Sequence, residues 1–111
     1  MNCDYWRDIV RQLYDPSRCN WAAHVLSAQL ESDTPLEDTN LGMALKCASE
    51  KEIIRAAIYA YSDWDSQPYC DLILQRFDMN KIESVFRRIE TPEPNMEKGV
   101  RGVLEIMTET M

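Results

Sequence analysis

The chain has 111 residues, of which 45% are hydrophobic, and its 19 acidic and 12 basic residues give a formal net charge of −7. This length and composition exclude a disordered chain and suffice to bury a core without metal or disulfide support. The excess of acidic residues argues against direct binding of nucleic acid or of an anionic membrane surface, because both are negatively charged.

Location is inferred from the N-terminus and the cysteines. The first residues carry charges where a signal peptide needs an apolar core, and no apolar run is as long as a membrane span. Cys3, Cys19, Cys47 and Cys70 are widely spaced and include no C-x-x-C pair. We therefore expect a cytoplasmic protein with reduced thiols, folded as one helical domain over residues 1–111.

Helical periodicity recurs along the whole chain, with apolar side chains at i, i+3 and i+4 spacing. In chain order, helices are expected at about residues 4–14, 17–31, 34–47, 49–61, 67–77, 80–89 and 95–108. No segment shows the sustained alternation of polar and apolar residues that half-buried strands require. The sequence predicts an all-α fold, a compact bundle of six to seven short, mostly antiparallel helices.

Local signals mark the first three helices. Asp15-Pro16 ends the first, since the residue before a proline is disfavoured in the helical conformation. Trp21 is placed in the apolar stripe of the second helix. Thr34 is predicted to cap the third helix ahead of a proline, and Gly42 weakens that helix.

The fourth helix is the most apolar and is expected to lie at the centre of the bundle. Ser49 and Glu52 have the spacing of a capping box at its start. Its broad apolar stripe consists of Ile53, Ile54, Ala57, Ile58 and Tyr61.

In the last three helices, Pro68 is tolerated in a first turn, and Asp78 or Asn80 caps the sixth helix. Gly99 and Gly102 weaken the seventh helix, because glycine lowers helix propensity.

Residue patterns for metal binding or catalysis are absent from the sequence. His24 is the only histidine, and no Cys, Asp or Glu stands four residues from it on either side. There is no G-x-S-x-G elbow and no glycine-rich phosphate loop. We expect no metal, no cofactor and no catalytic residues, and therefore not an enzyme. The cysteines are interpreted as small core residues, and His24 as a residue at a helix surface.

The loop after the fourth helix contains the first candidate binding residues. Asp63, Trp64 and Asp65 would form an exposed aromatic anchor flanked by acids, and tryptophan is common among interface hot spots. The alternative is that Trp64 folds inward and covers the end of the core. Tyr59, which lies off the apolar stripe, is expected beside Trp64.

Four further acids form the second candidate. Glu31, Asp33, Glu37 and Asp38 cluster with no base among them, and are expected to face a basic partner. The alternative is that these acids are there because the helix dipole favours negative charge near helix N-termini.

These features favour a non-enzymatic protein that acts by binding another protein, one with a basic surface, without direct contact to nucleic acid or membrane. Small, stand-alone acidic helical proteins are often inhibitors or neutralisers, of the immunity-protein or phage anti-defence type. The alternatives are a helical adaptor or structural subunit of a larger assembly and, less favoured, a small enzyme, a ligand-binding protein or a DNA-binding bundle. A monomer or homodimer is expected.

Overall fold

Seven α-helices form within residues 2–109, the part of the chain that the computed structural model describes. They are α1 (Cys3–Gln12), α2 (Cys19–Ser27), α3 (Asn40–Leu45), α4 (Glu50–Ala60), α5 (Gln67–Leu74), α6 (Met79–Arg87) and α7 (Pro94–Glu109). Short 3₁₀ turns at Leu36–Asp38 and Trp64–Ser66 precede α3 and α5, and residues 2–109 contain no strand. The prediction of an all-α bundle is confirmed.

The predicted central helix is α4. It packs against α1, α2, α5, α6 and α7, and Ile53, Ile54 and Ile58 are completely buried. The Glu52 N–H donates to the Ser49 Oγ at 3.2 Å, as the cap at its start requires. The Cα radius of gyration of 12.8 Å is that of a compact chain, for which about 13 Å is expected.

Two of the glycines predicted to weaken helices allow close packing instead. A Cβ on Gly42 would lie 2.0 Å from the carbonyl oxygen of Leu36, so this glycine lets the 3₁₀ turn fold back onto α3. A Cβ on Gly99 would lie 2.5 Å from the ring of Tyr61, so α7 approaches α4 closely at this point. Gly102 has open space around it.

The predicted start of the third helix is wrong. Thr39, not Thr34, is the N-cap, and its Oγ1 accepts from the Gly42 N–H at 3.1 Å. Thr34 lies before an extended Pro35 and a separate 3₁₀ turn. Both threonines precede segments with helical character, and the fit of Gly42 against Leu36 fixes α3 at the later one.

The expectation of four reduced thiols is also wrong. Cys3 and Cys47 form a disulfide with Cα atoms 5.1 Å apart, which ties the start of α1 to the segment after α3. The two residues are 44 apart in sequence, so only the fold brings them together. Cys19 and Cys70 are free and buried. Over residues 2–109, no helix combines the length and the apolar character needed to cross a bilayer.

Candidate functional site

Trp64 is the most exposed large apolar side chain of the described residues, with 72% of its surface accessible. The 3₁₀ turn that carries Trp64 is anchored by Ser66, whose side chain is fully buried. The Ser66 hydroxyl donates to the Asp63 carboxylate and accepts from the Asn20 amide at 3.5 Å. The alternative in which Trp64 covers the end of the core is therefore wrong. Asp65 beside it is exposed, whereas Asp63 is half-buried.

Trp21 is a second exposed aromatic residue, and the prediction that it belongs to the buried stripe of its helix is wrong. It is 46% exposed, and it follows Asn20, whose side chain reaches the Trp64 turn. The residues of α2 that are buried are Cys19, Ala22, Ala23, Leu26 and Ser27. These five fit helical spacing without Trp21, and the two alanines were the signal that could have placed Trp21 outside.

A shallow groove runs between α2 and α5. The rings of His24 and Tyr69 lie with their centroids 3.8 Å apart across these helices. Leu72 and Glu31 line the same groove further along. We use the term aromatic face for two groups of residues along α2: the exposed Trp21 and Trp64, and His24, Tyr69 and Leu72, which line the groove.

The acid loop, residues 31–38, begins at the far end of α2. Gln29, with a φ of 68°, turns the chain out of the helix. The loop is fixed at both ends: the Arg76 guanidinium donates to the carbonyl of Leu30, and the Asn40 amide donates to the carbonyl of Val25 at 2.8 Å. The path of this loop is therefore set by the helices on either side.

All four acids of this loop are exposed. None of the carboxylates of Glu31, Asp33, Glu37 and Asp38 has an ion-pair partner within the described chain. Glu37 and Asp38 immediately precede the Thr39 cap of α3, where a helix dipole favours acids. Glu31 and Asp33 follow the end of a helix, so the dipole does not account for them.

The two candidate sets are joined along α2. The Trp64 turn contacts the N-terminal end of this helix, and the acid loop leaves from its C-terminal end. Nine helical residues separate the two ends by about 13 Å. Because Glu31 lines the groove with His24, the acid loop borders the aromatic face.

Among the described residues, the ring of Tyr59 makes no ring contact with a residue of the aromatic face. Its half-buried ring packs against that of Tyr14, with centroids 5.1 Å apart, and the Arg55 guanidinium lies 5.7 Å from its centre. The structure thus places Tyr59 against the end of α1. Its expected part in the binding site has no support from these contacts.

The free thiols and the buried tyrosine are poorly suited to chemistry. Burial raises the pKa of Cys19 and of Cys70, which disfavours the reactive thiolate of each. The Tyr61 hydroxyl donates to the Asp71 carboxylate at 2.6 Å, and burial raises the pKa of this tyrosine far above its usual range. Between residues 2 and 109, no three His, Cys, Asp or Glu side chains are grouped so that they could hold a metal ion.

Comparison of the chain with protein-family models, with curated proteins and with solved structures finds no match in any of the three.

Proposed function

We propose that the protein is a non-enzymatic inhibitor or neutraliser, which works in the cytoplasm by binding and blocking another protein. The main support is the 72% exposure of Trp64 on a turn whose own polar groups are bonded to α2. A large aromatic side chain in water loses the free energy that its burial would provide. Burial against a partner would recover it, and tryptophan is enriched among interface hot spots.

The acid loop supplies the second part of the proposal. Its four exposed carboxylates make no ion pair in the described part of the chain, and one of them, Glu31, lines the groove of the aromatic face. Aromatic anchors surrounded by charge are typical of interfaces, where the anchors contribute affinity and the charges steer association. A basic surface on the target is the complementary partner.

The proposal predicts that Trp64→Ala weakens capture of the target at least tenfold, because truncating a hot spot costs about 2 kcal/mol or more. Trp21→Ala should weaken capture to a smaller extent, since Trp21 is less exposed. Tyr5→Ala is the matched control: Tyr5 is 46% exposed, like Trp21, but lies on α1. The measurement is affinity capture of the target from the native cell by each tagged protein, with helicity checked by circular dichroism.

Equal capture by wild type and a folded Trp64→Ala variant would contradict the proposal. So would loss of capture in Tyr5→Ala to the same extent, because binding would then not depend on the aromatic face. The activity of the captured protein is next measured with and without the chain. Inhibition is expected; an unchanged activity would favour the adaptor or subunit role.

A further inference from the structure

A second concave site lies between α4 and α6, with a cavity volume of about 260 Å³. Lys51 and Arg55 line it from α4, one helical turn apart. Ser84 of α6 and Arg88, the residue that follows α6, line it with the same spacing. Val85 and Ile89, both almost fully buried, form an apolar floor.

The direction of the two helices brings the arginines to the same end of this groove. Lys81 and Glu50, near the starts of α6 and α4, form a salt bridge at 2.5 Å, and Arg55 and Arg88, toward the other ends, line the same groove. The two helices therefore run in the same general direction. Arg55 lies five residues beyond Glu50, about 8 Å along its helix, and Arg88 lies seven residues beyond Lys81, about 10 Å along. The two guanidinium groups thus stem from nearly the same level.

The three cations of the groove differ from the two other cations of these helices, Lys81 and Arg87, in having no ion-pair partner in the described part of the chain. Arg87 pairs with Glu83 at 3.3 Å, and Lys81 is engaged by Glu50. Lys51, Arg55 and Arg88 make no ion pair with any residue from 2 to 109. Arg55 lies over the face of the Tyr59 ring and also interacts electrostatically with Tyr14.

The net charge of the groove is opposite to that of the chain. Its three cations face a single carboxylate, Glu52, which leaves a formal charge of +2 on a chain whose total is −7. Unpaired like charges repel one another, and an anion placed between them relieves that repulsion. A ligand that carries two negative charges would neutralise the groove.

We propose that this groove binds a small phosphate monoester, a dianion with a compact apolar body. A guanidinium group can donate two parallel hydrogen bonds to two oxygens of one phosphate group. The Lys51 ammonium adds a third cation beside Arg55 and Arg88. The Ser84 hydroxyl can donate to the remaining phosphate oxygen, while the body lies on Val85 and Ile89. The cavity is smaller than those that hold drug-sized molecules, for which about 300–1,000 Å³ is usual, so a small body is required.

This inference goes beyond the proposed function and uses none of its residues. The aromatic face and the acid loop lie along α2 and α5, whereas the groove belongs to α4 and α6. Either proposal can fail without the other.

The test is a titration of the full ¹⁵N-labelled chain with phenyl phosphate at constant ionic strength, followed by amide chemical shifts. Shifts are expected at residues 51–55 and 84–89. Inorganic phosphate should shift the same amides with at least threefold weaker affinity, because it lacks the apolar body. Benzoate, with one negative charge, should bind at least tenfold more weakly than phenyl phosphate.

Arg88→Gln should weaken phenyl phosphate binding at least tenfold, because the charge-assisted hydrogen bonds of one guanidinium are lost. Arg87→Gln is the matched control and should change the affinity less than twofold, since Arg87 pairs with Glu83 outside the groove. The two variants remove the same charge from neighbouring positions, so a general effect of net charge would weaken both equally.

Several results would overturn the proposal. These are shifts spread over the whole chain, benzoate binding as tightly as phenyl phosphate, and equal losses in Arg88→Gln and Arg87→Gln. A phosphotyrosine peptide that binds more than tenfold tighter than phenyl phosphate would overturn the small-molecule assignment in favour of a phosphorylated protein.

Discussion

At the scale of single residues, Gly99 and Gly102 lie three positions apart on α7 and should respond oppositely to the same change. Gly99→Ala places a methyl group 2.5 Å from the Tyr61 ring, which is buried and bonded to Asp71 and so cannot easily move. Overpacking of this kind costs about 1–3 kcal/mol. Gly102→Ala meets open space and should raise the free energy of unfolding by up to about 1 kcal/mol through helix propensity.

The measurement is urea denaturation of both alanine variants against wild type. The close contact between α7 and α4 would be contradicted if Gly99→Ala were as stable as Gly102→Ala.

Asp71 makes stability depend on pH. Burial raises the pKa of its carboxyl group above the ordinary value of 3.8, and the hydrogen bond from Tyr61 lowers it in part. The native state therefore holds this proton to higher pH than the unfolded state does. The resulting stabilisation is complete below 3.8 and is lost as the pH rises through the raised native pKa.

The free energy of unfolding of wild type should therefore fall as the pH rises above 3.8 through the acidic range. Asp71→Asn, whose side chain cannot titrate at this position, should not show this fall and serves as the reference. Tyr61→Phe removes the bond that lowers the pKa and should extend this loss to higher pH. Urea denaturation at a series of pH values measures both effects. Parallel pH curves for wild type and Asp71→Asn would show that the native pKa of Asp71 is not raised.

At the scale of secondary-structure elements, the Cys3–Cys47 disulfide constrains how α1 and α3 separate in the unfolded chain. For its sequence separation of 44 residues, the chain-entropy model gives about 4 kcal/mol, and natural disulfides contribute about 2–5 kcal/mol. Dithiothreitol should therefore lower the free energy of unfolding of wild type by about 2–4 kcal/mol. Guanidinium denaturation with and without the reductant measures this difference.

Cys3→Ser provides the control, because it should already have the lower stability and should not respond to dithiothreitol. If dithiothreitol lowered the free energy of unfolding of Cys3→Ser as much as that of wild type, the loss of stability would not come from this disulfide. In the proposed cytoplasmic setting, where thiols are kept reduced, the protein would function at the lower of the two stabilities.

The existence of each helix is predictable from its buried apolar residues, whereas its exact ends are predictable only where a side chain caps it. Ser49 and Asp78 act as caps from their own side chains, so short-range chemistry is enough to place α4 and α6. The cap at Thr39 and the role of Gly42 depend on the Leu36 carbonyl folding back, which the spacing of residues does not reveal. The pairing of Cys3 with Cys47 is equally a product of tertiary structure.

The candidate site was predictable only in part, for the same reason. Asp63, Trp64 and Asp65 can be predicted as a candidate because they stand together in a break between helices. The placement of Trp21 in the core is wrong, because hydrophobicity alone does not distinguish a buried tryptophan from an exposed one. The groove between α4 and α6 joins residues more than thirty positions apart, so its three cations do not form a cluster in the sequence.

At the scale of the whole molecule, charge is segregated rather than evenly mixed. The acid loop has four exposed carboxylates and no base, whereas the groove between α4 and α6 holds three cations and one carboxylate. A net charge of −7 therefore conceals two surfaces of opposite sign. The rate at which the chain associates with the proposed basic target should therefore depend on which of these two surfaces is turned toward that target.

The acid loop should act on the rate of association rather than on the rate of dissociation. Reversing Glu37 and Asp38 to lysine should slow association with the captured target by about tenfold at low salt, because steering by rim charges acts mainly on the on-rate. The difference should shrink at physiological salt, where the screening length falls to about 8 Å. The dissociation rate should change little if the aromatic face provides most of the affinity.

Glu105 and Glu109, both exposed on α7, provide a control with the same change in net charge. Their reversal to lysine should leave the on-rate within about twofold of wild type, because local rather than total charge orients the encounter. Stopped-flow or surface-based kinetics at two salt concentrations measures both variants. If both double variants slow association equally, the effect is due to net charge and not to the acid loop. If neither variant changes the on-rate, Glu37 and Asp38 have no part in steering and only favour the start of α3.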